Sequence, residues 1–223
     1  MGLDMYLFRT RRVPGFAASD YERVNGTVYR AGAKEADALD LESATGLPGA
    51  NALRECIHIE GQAFPWATIF AQAAYWRKAN AVHQWFVHTV QEGEDDCRLS
   101  DPVNADALHA LRVRAQLIWL AHADTEGLPC RVLPPIITHQ HTQRVLDDGA
   151  PMTERLLAAR ALETQESGTV ARILLPPQPG FFFGSTALDR WYYSDLVGTI
   201  KQLNTVMSTT DWDREVVFYH SSW

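Results

Sequence analysis

Hydrophobic side chains recur with the period of a helix over one long segment, from Ala67 to Glu92. The segment contains no glycine or proline. At about 100° per residue, its apolar positions fill an arc broader than the stripe of a surface helix. We therefore predict a long, mostly buried central helix against which the fold is built. The arc consists of Tyr75, Trp76, Ala79, Val82, Phe86, Val87 and Val90.

Polar side chains on the same segment suggest a pocket. Arg77 and Asn80 begin a narrow polar stripe, whereas His83 points into the apolar arc. A buried imidazole needs hydrogen-bond partners. Two interpretations therefore stay open: His83 is a neutral core histidine held by a backbone carbonyl, or it forms the floor of a pocket beside Asn80 and Arg77.

Short alternating or apolar runs predict the strands of a small, mainly antiparallel sheet. They are Leu3 to Leu7, Glu55 to Glu60, Thr169 to Leu175 and Glu215 to His220. The first and last runs lie close to the ends of the chain, and each gains by pairing its backbone groups. We therefore expect these two strands in one sheet near the central helix, with Trp223 carried back onto the protein and its indole buried.

The rest of the chain completes an α+β prediction with three to four packed helices, the central one being the longest. At 223 residues, a single domain spanning residues 1–223 is expected. Phe16 to Ala52 is interpreted as loop with one short helix and a short strand at Thr27 to Arg30, and Leu128 to His141 as loop with extended pieces. The further predicted helices follow Asp101-Pro102, run from Pro151 to about Gln165, and follow Thr186 to Asp189.

The second distinctive segment is an aromatic run, Phe181 to Phe183, that is predicted to be a strand ending at Gly184. Ser185 and Thr186 follow, at the start of a predicted helix, where free backbone N–H groups favour a small anionic ligand. The alternative is that Thr186 merely caps its own helix. The candidate ligand or partner pocket is Trp76, Arg77, Asn80, His83, Asp96, Cys97, Phe183, Gly184, Ser185 and Tyr192.

Composition narrows the classes of function. The net charge of −7 argues against general nucleic-acid binding through phosphate neutralisation. The chain has no apolar run of about 18 residues, so no membrane span is expected. The N-terminal residues do not follow the order of a secretory signal. Three widely separated cysteines, Cys56, Cys97 and Cys130, favour a reduced, cytoplasmic protein.

Catalytic and metal signatures are weak. His139 and His141 lack a third ligand at a suitable spacing, so no metal is expected. Cys97 follows two aspartates, which raise the pKa of a thiol instead of activating it. The phosphate-binding, dinucleotide and hydrolase motifs are absent from the sequence. We therefore assign no catalytic residue and no cofactor, and leave open whether the protein is an enzyme.

Several motifs resemble an uncharacterised family found in bacteriophages, prophages and bacterial genomes. They are MGLDMYL at 1–7, YWRKANAVHQWFV at 75–87, EDDC at 94–97, GFFFGS at 180–185, YY at 192–193 and SSW at 221–223. The resemblance implies a phage or mobile-element setting and no defined reaction. The expected function is binding of a host or defence-system protein. The alternative is an enzyme or small-ligand binder whose pocket lies between the central helix and the Gly184-Ser185 turn.

Overall fold

The computed structural model describes residues 2–181 and 183–223, and it shows an α+β fold. Two short 3-10 segments, Ala36–Ala38 and Ala50–Cys56, lie between the elements named here. In chain order, the elements are β1 (Asp4–Arg11), α1 (Ala18–Ala31), α2 (Leu41–Thr45), β2 (His58–Glu60), β3 (Trp66–Thr68), β4 (Ala71–Arg77), α3 (Asn80–Val90), α4 (Ala105–Thr125), α5 (Pro135–Leu146), α6 (Met152–Gln165), α7 (Thr169–Leu174), α8 (Arg190–Thr209) and β5 (Glu215–Ser222).

The main sheet joins the two ends of the chain. Its strand order is β4-β1-β5, and both pairings are antiparallel. Strand β1 pairs with β5 from Asp4 opposite Ser222 to Arg11 opposite Glu215, so the prediction that the terminal strands lie in one sheet is confirmed. An isolated bridge from Pro102 to Phe218 adds a further contact on the β5 side.

Alternation along β5 divides the apolar core into two clusters. Val217 and Tyr219 point towards the larger cluster, which also contains Met5 and Leu7 of β1 and the inner faces of α4 and α8. Phe218 points towards a smaller cluster under α1 and the 3-10 segment Ala50–Cys56. The sheet is therefore covered on both faces along β5, as expected for a strand whose successive side chains point to opposite sides.

The long central helix was predicted incorrectly. Residues Ala71–Arg77 form strand β4, and helix α3 begins only at Asn80. Trp76 is buried, whereas its neighbours Tyr75 and Arg77 are exposed, which is the alternation of a strand. The two elements are separated at Lys78, whose φ of 58° interrupts regular structure. The longest helices are instead α4 and α8.

Two predicted strands of the main sheet also lie elsewhere. The predicted strand Glu55 to Glu60 overlaps the end of a 3-10 segment, and only its last three residues form β2. Strand β2 pairs with β3 in a separate two-stranded sheet. The predicted strand Thr169 to Leu175 is instead helix α7 up to Leu174, with Val170, Ala171 and Leu174 buried on one helical face. This segment is too short for a strand and a helix to be distinguished by apolar content alone.

Other segments predicted as irregular are helical. Thr27 to Arg30 belongs to α1, and the segment Leu128 to His141 contains the start of α5, where Pro135 occupies the first helical position. Helix α6 has the predicted bounds, but α4 begins at Ala105, after the cap residue Asn104. Helix α8 is capped by Asp189, not by Thr186. Phe181 and Phe183 are not in a strand, and Phe182, like Met1, lies outside the described residues.

Within residues 2–181 and 183–223, every helix is too short or too polar to span a bilayer.

Candidate functional site

A cavity of about 350 Å³ lies between the start of α3 and the start of α8. Its volume is at the lower end of the range typical of small-ligand sites. Apolar groups such as Val82, Tyr192 and Leu196 form part of its wall, and the indole of Trp191 lies at its edge. The polar residues that line it are Arg77, Lys78, Asn80, Ser185, Asp189 and Asp195.

The turn between β4 and α3 directs the first turn of the helix towards this cavity. The backbone N–H of Lys78 donates to the Leu3 carbonyl at 2.8 Å, which anchors the turn to the sheet. The residue before the helix is Ala79, which has no side-chain oxygen to cap it. The N–H groups of Ala81 and Val82 therefore have no acceptor among the described residues, and both residues line the cavity.

Asn80 holds the opposite wall in place. Its side-chain nitrogen donates to the carbonyls of Phe183 at 3.1 Å and Ser185 at 2.9 Å, and its oxygen accepts from the Gln178 N–H at 3.1 Å. The backbone of Gly184 adopts a φ of 87°, and a Cβ there would lie 3.3 Å from the Cβ of Lys78. Asn80 is thus a positioning residue whose amide is already occupied by the loop.

Carboxylates form the other end of the cavity. Asp189 caps α8, where Oδ1 accepts from the N–H groups of Trp191 at 2.9 Å and Tyr192 at 3.2 Å. The side chain of Asp195 has no hydrogen-bond or ion-pair partner among the described residues. Burial, together with the negative charge of Asp189, raises the pKa of Asp195 to about 6. Asp195 is therefore a half-buried acid whose ionisation the fold opposes.

The Asp195→Asn variant should be more stable than the wild type at neutral pH. An acid with a raised pKa in the folded state lowers stability as pH increases from the unfolded value towards 6, and this loss persists at higher pH. Because the carboxyl keeps part of its solvent contact, the gain is smaller than the pKa shift alone implies. We expect a melting temperature about 2–4 °C higher near pH 7.5, corresponding to about 1 kcal/mol, and no difference near pH 4.

Thermal denaturation across this pH range checks the prediction. The control is Asp213→Asn, which removes an exposed carboxylate and should give no pH-dependent difference from the wild type. An Asp195→Asn variant that melts below the wild type at neutral pH, or that gains equally at both pH values, would show that Asp195 is not a destabilising carboxylate.

His83 lies outside the cavity, in a chain of polar groups that runs from the buried Tyr219 to the exposed Trp223. Its Nδ1 accepts from the hydroxyl of Tyr219 at 2.7 Å, and its Nε2–H donates to the carboxylate of Asp95 at 2.9 Å. The second oxygen of Asp95 accepts from the indole N–H of Trp223 at 3.1 Å. Burial, together with the charge of Asp95, raises the pKa of Tyr219, so the hydroxyl stays protonated and can donate.

This arrangement satisfies both nitrogens of a neutral imidazole. His83 is therefore a core histidine, as one of the two interpretations held, but side chains and not a backbone carbonyl provide its partners. Both nitrogens are engaged, so neither is available to activate Cys97 as a nucleophile.

The structure divides the candidate residues between the cavity and its surroundings. Arg77, Asn80, Gly184, Ser185 and Tyr192 line the cavity. Trp76 is buried and donates from Nε1 to Thr199, and Phe183 packs against the ring of His83. Asp96 pairs with Arg98 at 3.2 Å, and Cys97 is a free cysteine in the same loop.

The sequence reasoning did not assign Lys78, Asp189, Trp191 or Asp195 to the site. A signal for Asp195 was present, because it lies beside the apolar face of α8, three residues from Tyr192 and next to Leu196. A carboxylate at the border of a buried helical face is uncommon unless it has a partner or a function.

The two histidines of the weak metal motif lie on α5. His139 and His141 are two residues apart on a helix, so their side chains point in widely different directions. In the part of the chain that the structure describes, no group of three histidine, cysteine or acidic residues could hold a metal ion.

In comparisons with known proteins, no family model, no curated protein and no solved structure matches this chain. The function must therefore be argued from the chemistry of the site.

Proposed function

We propose that this protein binds a small ligand in the cavity between α3 and α8. The observation that supports the proposal most directly is Asp195, a half-buried carboxyl without a partner among the described residues, on the wall of that cavity. A fold under selection for stability alone gains nothing from such a group, whereas perturbed acids are concentrated at functional sites. The N–H groups of Ala81 and Val82, which have no acceptor within the described residues, belong to residues that line the same cavity.

Binding fits the cavity better than catalysis by a nucleophile. The hydroxyl of Ser185 accepts from the N–H of Ala187 at 3.0 Å, and no histidine lines the cavity within the described residues. Nucleophilic catalysis by a hydroxyl needs an adjacent general base and an orienting third group. The lining instead combines an apolar wall with a few convergent polar groups, as ligand sites do.

A fragment screen followed by nuclear magnetic resonance tests this function. In a ¹⁵N-labelled sample, fragments that bind the cavity should shift the amide signals of Ala81, Val82 and Ser185 and the indole signal of Trp191 together. The Ala187→Trp variant places a large side chain on the exposed rim of the cavity. We expect it to reduce binding of these fragments at least about tenfold, because the added indole occupies the space they need.

The matched control is Ala38→Trp, since Ala38 is also exposed but lies in the 3-10 segment remote from the cavity lining. It should leave fragment binding unchanged. A screen in which no fragment shifts the cavity signals, or in which Ala187→Trp binds as well as the wild type, would contradict the proposed function.

The second candidate function is binding of a partner protein. In this proposal the chain is a phage or mobile-element protein, and its partner is a host or defence-system protein. The observation that favours it is a set of exposed apolar side chains on and around α5 and α6. Val132 is 95% exposed, Ile136 is 73% exposed and Leu157 is 64% exposed. Clusters of exposed apolar residues often mark protein interaction sites. Fragment-induced shifts confined to α5 and α6 would favour this second function over the first.

A further inference from the structure

If the cavity binds a small ligand as proposed, we infer that this ligand is a small zwitterion, with its anionic group against Arg77, Lys78 and the first turn of α3 and its ammonium group against Asp195. The cavity presents opposite charges on its two sides, and its volume of about 350 Å³ restricts the ligand to a small molecule.

The anionic group is assigned to the side formed by the β4–α3 turn. Arg77 is 63% exposed, and its nearest carboxylate oxygen, in Asp4, lies at 4.0 Å, so it is only loosely paired. Lys78 makes no ion pair among the described residues. The free N–H groups of Ala81 and Val82 and the partial positive charge of the helix N-terminus lie on the same side. These groups together favour a carboxylate or phosphate.

The ammonium group is assigned to the side formed by α8. The charge that acts most on the Asp195 carboxyl is that of Asp189, another carboxylate. Within the described residues, Arg77 pairs with Asp4 and neither Arg77 nor Lys78 forms an ion pair with Asp195. The nearby guanidinium of Arg190 lies over the ring of Trp191, 4.7 Å from its centroid. A cation supplied by the ligand would complete this side of the cavity.

A zwitterion carries in one molecule the two opposite charges that the two sides of the cavity favour. Contacts between charges that are open to solvent are individually weak and are screened by salt. Joining an anion and a cation in one molecule of suitable length makes the second contact intramolecular and raises the affinity above that of either group alone. The ligand class that results is an amino acid or an amino-phosphate, as opposed to a simple anion or a simple amine.

Calorimetric titration with matched probes tests this ligand class. The zwitterions are 4-aminobutyrate and O-phosphoethanolamine, and the matched single-charge probes are butyrate, butylamine, ethyl phosphate and ethylamine. We expect at least one zwitterion to bind about tenfold or more tightly than both of its single-charge counterparts, because only the zwitterion satisfies both sides. Arg77→Ala should weaken the zwitterion and butyrate and leave butylamine unchanged.

The pH dependence of ligand binding shows whether Asp195 contacts the ligand or only supports the structure of the site. The charged and titratable groups that line the cavity with Asp195 are Arg77 and Lys78 from the β4–α3 turn and Asp189 and Tyr192 from α8, and the Tyr192 hydroxyl donates to the Leu175 carbonyl. Burial raises the pKa of Tyr192 far above this range. With a pKa of about 6, only about a tenth of Asp195 is ionised near pH 5. Binding of 4-aminobutyrate should therefore weaken about tenfold between about pH 7.5 and pH 5, and Asp195→Asn should abolish most of this dependence.

The results of these titrations test the class of ligand separately from the location of the binding site. Ala187→Trp should remove zwitterion binding, and binding that survives this variant would overturn the inference, since it would occur elsewhere. If single-charge probes bind as tightly as the zwitterions, or if only uncharged fragments bind the cavity, the ligand class is wrong and the small-ligand function stands. If neither the probes nor any fragment binds the cavity, both proposals fail.

Discussion

Replacing Trp76 by alanine is expected to lower the free energy of unfolding by about 3–5 kcal/mol, the range measured for truncation of a buried large aromatic side chain. Trp76 is 4% exposed and packs against Phe86, with their ring centroids 6.0 Å apart. Its indole N–H donates to the hydroxyl of Thr199 at 2.9 Å, and Thr199 is itself fully buried. The truncation would therefore leave a cavity between β4 and α8 and remove the hydrogen bond that the Thr199 hydroxyl accepts, while this hydroxyl still donates to the Asp195 carbonyl at 2.7 Å.

Denaturant unfolding measures this loss, and Trp191→Ala is its matched control. The same atoms are removed from Trp191, but this side chain is 64% exposed, so a loss below about 1 kcal/mol is expected. Phe86→Ala should behave like Trp76→Ala, because Phe86 is fully buried and stacks on Tyr219 with centroids 4.2 Å apart. Similar small losses in all three variants would contradict the packing of β4 and α3 against the core.

The sequence predicted the ends of the fold better than its middle. Strand β1 begins with apolar residues alternating with more polar ones, and β5 contains a short continuous apolar run, so both strands were recognisable and their place in one sheet followed from the need to satisfy backbone groups. In Ala71–Arg77 the alternation is hidden, because three alanines fit either face of a strand and also favour a helix. The pairing of β4 with β1 decides the conformation there, and that pairing depends on residues about seventy positions earlier in the chain.

The candidate site, like the fold, was predicted only in part. Arg77 and Asn80 were found because they are polar residues on a largely apolar segment, and Gly184 and Ser185 because free backbone N–H groups were expected at the start of the helix that follows them. Asp195 reaches the cavity only through the packing of α8 against β4, which the spacing of residues within α8 does not predict. The partners of His83 are Asp95, close in sequence, and Tyr219, far away in the sequence on β5.

Helix α3 therefore links two polar arrangements with different tasks. On one side, Asn80 holds the loop that closes the cavity. On another side, His83 connects the helix to the last strand through Tyr219 and to the loop at Asp95. Phe183 contacts both arrangements, since its carbonyl accepts from Asn80 and its ring packs against His83 and Trp223. The end of β5 should consequently matter for the stability of the whole sheet and not only for its own order.

Deleting Ser221 to Trp223 is expected to lower the melting temperature by about 4–8 °C, the shift that about 2 kcal/mol produces in a domain of this size. Ser221 is fully buried and pairs with Met5, and Ser222 pairs with Asp4, so the deletion leaves the start of β1 without its partner on one side. It also removes the hydrogen bond from the Trp223 indole to Asp95.

Trp223→Ala separates the contribution of the indole from that of the strand pairing. Contrary to the expectation of a buried indole, Trp223 is 44% exposed, so this variant should melt only about 2–4 °C below the wild type. The remaining difference between the two variants then measures the pairing of Ser221 and Ser222 with β1. A deleted chain that melts together with Trp223→Ala would show that this pairing contributes no stability, whereas one that melts with the wild type would contradict both contacts.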